Sequence, residues 1–263
     1  AAAAAATFDH THAAWDGLLR KHVRVIDEGR ASQFNYAEMA KSRAALKSYL
    51  AGVSAVAESE FNGWSKAEQM AFLINAYNAY TVELVLTRYP DLKSIRDLGN
   101  IVFNSPWKRK FFTLFGRESY LDQIEHEILR KPGSYNEPRV HFAVNCASIG
   151  CPMLREEAFV ASRLDAQLEE QTRRFLADRS RNRYDSARNE LQLSKIFDWY
   201  AKDWTSGFRG IDGRTPAVQS REQYLARYAH LLGDTPGAQA PFAGETPAIR
   251  FLEYDWTLND VRR

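Results

Sequence analysis

Two cysteines among 263 residues are too few for a disulfide framework or for the usual four-ligand cysteine zinc site. An excess of one charge is missing as well. The 35 Lys and Arg stand against 33 Asp and Glu, a formal +2, so there is no electrostatic reason to expect nucleic acid as a partner. No apolar run approaches the ~20 residues of a spanning helix, and no transmembrane segment is expected. The Gly-rich phosphate loop, the dinucleotide fingerprint and the Gly-x-Ser-x-Gly elbow are all absent. What is present, 45% hydrophobic and 26% charged residues, suits a folded chain with a substantial core.

The six leading alanines read as a tail and are set aside from the fold. Asp9 or Thr11 can cap a helix carrying Trp15, Leu18, Leu19, His22, Val23 and Ile26, stopped by Gly29. Helical stretches over 36–50 and 53–61 follow. Ser65 and Glu68 form a capping box for a long helix that Pro90 ends. That helix is apolar on most sides, with Asn75 and Asn78 inside the apolar zone, and should be the central core helix. Residues 111–118 read as strand and turn, 121–130 as a helix carrying Glu125 and His126, and 139–145 as an alternating strand. Pro152 is placed to start a helix running over 156–176. A strand at 190–193, an aromatic run at 196–200, a helix over 224–232 and a strand at 251–256 complete the reading. Residues 233–247, rich in Gly, Pro and Ala, read as a wandering loop before a C-terminal segment, 248–263, that returns to the body. The fold class expected is α+β: a helix-rich single domain over 7–232 with a small β-sheet.

Chemistry is most concentrated around Cys146 and Cys151. Cys146 leaves a predicted strand into a turn, where backbone N–H groups stabilise an anion. Cys151 precedes a predicted helix start, where the dipole lowers a thiol pKa. A nucleophile, a disulfide or redox pair, and inert packing all remain open for the two thiols. A nucleophile needs a base and a group to orient it. His141 is near in sequence, but alternation puts it on the strand face opposite Cys146; His126, beside Glu125 and one turn from Asp122, is the other candidate. Asn75, Asn78 and Asn145 could orient a histidine or hold an oxyanion, or else tie backbone groups in the core. Trp199, Tyr200 and Trp204 could line a groove for a peptide or small ligand. His10 and His12 with Asp9 form too weak a pattern for a metal, and no metal or cofactor is expected.

Several of these motifs occur together in a known family. The stretches Ala71 to Asn78 (AFLINAYN), Tyr89-Pro90, Ile124 to His126 with Leu129-Arg130, Pro138 to Pro152 (PRVHFAVNCASIGCP) and Ile196 to Tyr200 (IFDWY) resemble the domain of unknown function 547, over roughly 64–204. The flanks, including Phe8 to His12 and Phe251 to Trp256, look like those of proteobacterial members, many of which carry export signals. The resemblance therefore implies a periplasmic or secreted location. In plant members the position of Cys151 is commonly Ser, which implies that Cys146 is the functional thiol. Plant relatives also join the domain to a coiled coil that this chain lacks. A core helix followed by a sheet bearing His invites comparison with papain-like and transglutaminase-like thiol enzymes, although those carry Cys on the helix, where this chain has Asn75 and Asn78.

The function expected is an exported thiol-dependent hydrolase or acyl transferase acting on an amide, peptide or thiol-containing small molecule. Cys146 would be the nucleophile, His126 or His141 the base, Glu125 or Asn75 the orienting group, and Asn145 or N–H groups near Ala147 the oxyanion donors. The alternatives are a non-catalytic peptide- or ligand-binding module, or a thiol redox protein using Cys146 and Cys151.

Overall fold

The computed structural model describes residues 7–99, 104–205, 207–233, 240 and 247–262; the alanine tail and most of the 233–247 loop lie outside them. Helix α1 (Ala13–His22) ends earlier than its periodicity suggests. The β-branched run after it forms strand β1 (Val23–Ile26), which pairs antiparallel with β2 (Ala31–Phe34). Asp27, Glu28 and Gly29 take positive φ between them and so turn the chain back within a few residues. Helices α2 (Tyr36–Lys41), α3 (Arg43–Ser54) and α4 (Glu58–Asn62) then wrap the long helix α5 (Lys66–Leu86). The capping box at its start is formed as expected: Glu68 N–H donates to Ser65 Oγ and Ser65 N–H to the Glu68 carboxylate. Nearly every side chain of α5 is buried, which makes it the centre of the larger core.

Strands β3 (Phe112–Leu114) and β4 (Arg117–Ser119) form a hairpin through Phe115 and Gly116, both at positive φ. The helix after it is π-wound over Gln123–Leu129, with Arg130 N–H reaching back five residues to Glu125 C=O at 2.9 Å. The alternating stretch 139–145 is not a strand. Pro138 fixes φ at the start of a 3-10 turn, Pro138–Phe142, and Glu137 caps it by accepting from Arg139 N–H. Nor does Pro152 open a helix: α6 (Leu164–Ala177) begins twelve residues later, after a 3-10 turn at Ala161–Arg163. The intervening chain is neither helix nor strand. Arg155 and Glu157 are buried in an ion network there, and Asn75 holds the Phe159 backbone.

Strands β5 (Arg183–Asp185) and β6 (Glu190–Leu193) are antiparallel. Helix α7 (Ile196–Trp199), a 3-10 turn at Ala201–Trp204, α8 (Arg221–Ala226) and α9 (Ala229–Leu232) follow. Strand β7 (Ala248–Phe251) starts earlier than expected and adds parallel to β6. The fold is thus α+β and helix-rich, and among the described residues the expected small sheet is resolved into three of two or three strands. A second core gathers Phe142, Phe175, Phe197, Trp204 and Tyr224 beside α6.

The C-terminal segment beyond β7 straps the cysteine loop. Ile149 N–H donates to Thr257 C=O at 2.8 Å, Gly150 N–H to Asp255 C=O at 2.8 Å, and Asn259 N–H to Ala147 C=O at 3.0 Å. A Cβ on Gly150 would sit 2.9 Å from Asp255 N and 3.0 Å from the Tyr254 ring, so only glycine admits this approach. Gly150→Ala should therefore lower the unfolding free energy by about 1–3 kcal/mol, read by urea denaturation. Unchanged stability would show that the strap is not held here.

Candidate active site

A cavity of about 250 Å³ lies where the two cores meet, reached by Tyr77 and Val144 from one and Ile196 from the other. It gathers Cys146, Cys151, Glu125, His126, His141, Trp199 and Tyr200, separated in sequence by up to 75 positions. The 3-10 turn at 138–142 explains how His141 and Cys146 reach one cavity, since the alternation that would have opposed them never forms.

His141 is buried, its ring lying flat on Tyr200 with centroids 4.0 Å apart and planes 12° from parallel. Its Nε2 is 2.6 Å from Asp203 Oδ2. Asp203 also accepts from Arg130 Nε at 2.7 Å and Nη2 at 3.2 Å. Burial pushes the Asp203 carboxyl up, but hydrogen bonds from His141 and Arg130 outweigh it and hold the group at about 2. Asp203 is therefore ionised and His141 Nε2 must donate. Burial holds the His141 pKa below its ordinary value against that pairing, so the neutral ring presents Nδ1 as a lone pair. Among the described residues Nδ1 finds no hydrogen-bond partner, and it lies 3.8 Å from Glu125 Oε1.

Glu125 is the second poised group. Burial, then the nearby Asp122 charge, raise its carboxyl to about 7, with Arg130 and the Tyr77 hydroxyl only partly offsetting them. At neutral pH it holds its proton about half the time, which suits a group that gives and takes protons. His126 differs. Its Nδ1 is 2.7 Å from Arg130 Nη1, which can only donate, so Nδ1 accepts and Nε2–H faces Asp122 Oδ1 at 3.5 Å. Burial lowers its pKa further. Of the two histidines, His141 has the free nitrogen.

The two cysteines are joined in a disulfide with Cα atoms 6.3 Å apart. Cys146 is half-buried on the cavity and Cys151 is 3% exposed. Ser148 Oγ lies 3.1 Å from Cys146 Sγ and Tyr254 Oη 3.3 Å from it, and both hydroxyls also touch Cys151 Sγ. Among the described residues no histidine nitrogen hydrogen-bonds either sulfur. Cys151 also has no helix behind it, so the dipole argument for its thiolate does not apply.

Three of the expected residues stay outside the cavity. Asn75 brackets the Phe159 backbone, donating to its C=O at 2.8 Å and accepting from its N–H at 3.0 Å. Asn78 donates to Ala143 C=O at 3.0 Å and accepts from Asn145 N–H at 2.8 Å. Asn145 donates to Pro152 C=O and accepts from Ala147 N–H, so that amide and the Ala147 N–H serve each other rather than an oxyanion. Asn78 and Asn145 together set the cysteine loop, including Ala147 at φ 62°. Among the described residues the side-chain donors that reach the sulfurs are the hydroxyls of Tyr254 and Ser148, and the Cys146 N–H donates to Cys151 Sγ.

Sequence reasoning did not single out Asp203, Tyr77, Ser148, Trp107, Tyr254 or Trp256. The signal for the last two was there: in the expected strand 251–256 they alternate on one face, and that face closes the cavity. Trp256 packs against Trp107 and Trp199, and Tyr254 against Trp199, leaving Trp199 44% exposed at the rim.

Residues 61–176 match the model of a family described as "Protein of unknown function, DUF547". The matched stretch is less than half of the chain. It contains Glu125, His126, His141 and both cysteines, while Asp203, Trp199 and Tyr254 come from beyond it. No curated protein matches the chain, and no solved structure matches it. Among the described residues no group of three His, Cys, Asp or Glu is placed to hold a metal ion, and no helix is long and apolar enough to cross a membrane.

Proposed function

We propose that this DUF547 cavity is the active site of a thiol-dependent enzyme, a hydrolase or acyl transferase acting on an amide, peptide or thiol-containing small molecule. One observation carries the reading: Cys146 shares a cavity with a neutral histidine whose Nε2 is fixed by an ionised Asp203 and whose Nδ1 is unpartnered. Once the bond to Cys151 is reduced, His141 Nδ1 takes the Cys146 proton and the thiolate attacks the substrate carbonyl. Asp203 stabilises the imidazolium that results. The imidazolium then protonates the leaving group, and the Ser148 and Tyr254 hydroxyls beside Cys146 Sγ are the side-chain donors for the developing oxyanion. The comparison with papain-like and transglutaminase-like enzymes is an analogy. The aromatic rim would hold an apolar substrate group. We further propose that the protein is of the proteobacterial exported type and works in the periplasm or outside the cell, on the resemblance of its flanks.

The test is the pH dependence of Cys146 alkylation by iodoacetamide in the reduced Cys151→Ser chain. We expect a midpoint below pH ~7, and its return toward ~8.5 when His141→Gln is added. A midpoint near ~8.5 in both chains would remove the nucleophile and leave a ligand-binding module as the better account.

A further inference from the structure

The oxidised pair is asymmetric. Both cysteines line the cavity, but Cys146 is half-buried while Cys151 is 3% exposed. A disulfide sulfur carries no proton, so the surrounding groups must donate to it. Cys151 Sγ receives the Cys146 backbone N–H at 3.1 Å and the Tyr254 hydroxyl at 3.0 Å, while the Ser148 hydroxyl, with one proton to give, lies 3.2 Å from it and 3.1 Å from Cys146 Sγ. Among the described residues Cys146 Sγ touches only those same two hydroxyls, at 3.3 and 3.1 Å, and has no backbone donor of its own. In thiol–disulfide exchange the better-stabilised thiolate leaves and the more accessible sulfur is attacked. Both criteria choose the same direction here.

We propose that the oxidised site is itself reactive, exchanging with a thiol that carries an aromatic substituent, with Cys146 as the attacked sulfur and Cys151 as the leaving group. The inference rests on the proposed function only in taking Cys146 as the cavity's reactive atom. The incoming thiol gives its proton to His141 Nδ1, and its sulfur bonds to Cys146 Sγ. The Cys146–Cys151 bond breaks, and Cys151 departs with the electron pair as a thiolate held by the Cys146 N–H and the two hydroxyls. A second equivalent of thiol attacks the bound substrate sulfur. Its proton goes to Cys151, Cys146 leaves as thiolate and takes up the proton held by His141, and the two substrate molecules depart as their disulfide. The balance is a two-electron reduction of the protein pair by two thiols. The substituent would lie against Trp199, Tyr254 and Trp256, which wall the cavity beside the sulfur.

The experiment exposes the oxidised full chain to phenylmethanethiol or 2-mercaptoethanol at matched thiolate concentration. Acid quenches at timed intervals, freed thiols are alkylated, and peptides are mapped by mass. Expected are a mixed disulfide on Cys146 with the alkyl label on Cys151, a rate at least tenfold higher for the aromatic thiol, and loss of that preference in Trp199→Ala. Tyr254→Phe, which keeps the ring, should slow exchange by about tenfold through loss of one donor to a forming thiolate. An adduct on Cys151, equal rates for the two thiols, or a pair that stays reduced after air oxidation would each overturn the proposal. If no adduct forms on Cys146 while the reduced chain still alkylates there below pH ~7, this inference falls and the nucleophile reading stands. The opposite pair of results separates them the other way.

Discussion

Replacing Asn78 with leucine should cost the protein about 3 kcal/mol of unfolding free energy, although the side chain is 2% exposed and leucine suits the apolar helix around it. The Asn78 amide is the only hydrogen-bonding partner seen for Ala143 C=O and Asn145 N–H among the described residues, and both of those residues are buried. Leucine would strand one acceptor and one donor, each costing about 1–3 kcal/mol, against a smaller gain from burying apolar surface. Asn75→Leu is the matched control. It strands the Phe159 N–H and C=O in the same way, and should destabilise by a similar amount. The two variants should part at the cysteines. Asn78 fixes the chain directly ahead of Cys146, so its loss should change the Cys146 alkylation rate in the reduced protein, while Asn75→Leu leaves that rate alone. Urea denaturation with alkylation of the surviving folded fraction checks both. A loss under about 1 kcal/mol for Asn78→Leu would mean that water or a rearranged loop replaces the amide.

These two asparagines show what the sequence could convey and where it stopped. An amide inside an apolar helical stripe announces a buried polar partnership, and the capping box at Ser65 and Glu68 announces where that helix begins; both signals are local and both are realised. The partners were not legible, because Phe159 and Asn145 lie 84 and 67 residues away. Cys146, Cys151, His126, His141 and Glu125 could be named as a candidate group from residue type and neighbourhood. Asp203, 62 residues from His141, and Tyr254, 108 residues from Cys146, are brought in by tertiary packing that no spacing encodes. Where local pattern misled, a tertiary or steric term had overridden it. Residues 139–145 alternate as a strand does, but Pro138 and the Glu137 cap wind them into a turn. The stripe of α1 runs on past His22 in sequence, but Val23 and Ile26 pair across to Phe34 and Ala31 instead.

Glu125 joins stability to the proposed chemistry, and its replacement by glutamine should expose the link. Its folded-state carboxyl is raised from an ordinary 4.5 to about 7, chiefly by burial, with Asp122 and Asp203 adding to the rise and Arg130 and Tyr77 opposing it. A raised acid favours the folded state only while protonated. Between pH ~4.5 and ~7 the unfolded chain has released this proton and the folded chain has not, so stability must fall as pH rises through that window. The full loss is about 3 kcal/mol above pH 7. Glutamine keeps the shape and a Tyr77 partner without the charge. Glu125→Gln should therefore match the parent near pH 4.5 and exceed it by up to about 3 kcal/mol at pH 8, by denaturant titration at several pH values. His126, His141 and Asp122 titrate in both chains, so the difference between the two curves reports Glu125 together with its coupling to them. A constant difference across the range would place its pKa near the ordinary value and remove it as a proton donor. If the difference does open with pH, the protein keeps a destabilising carboxyl 3.8 Å from His141 Nδ1, where a stable fold alone would favour an amide. Retaining it is then best explained by proton transfer in the cavity.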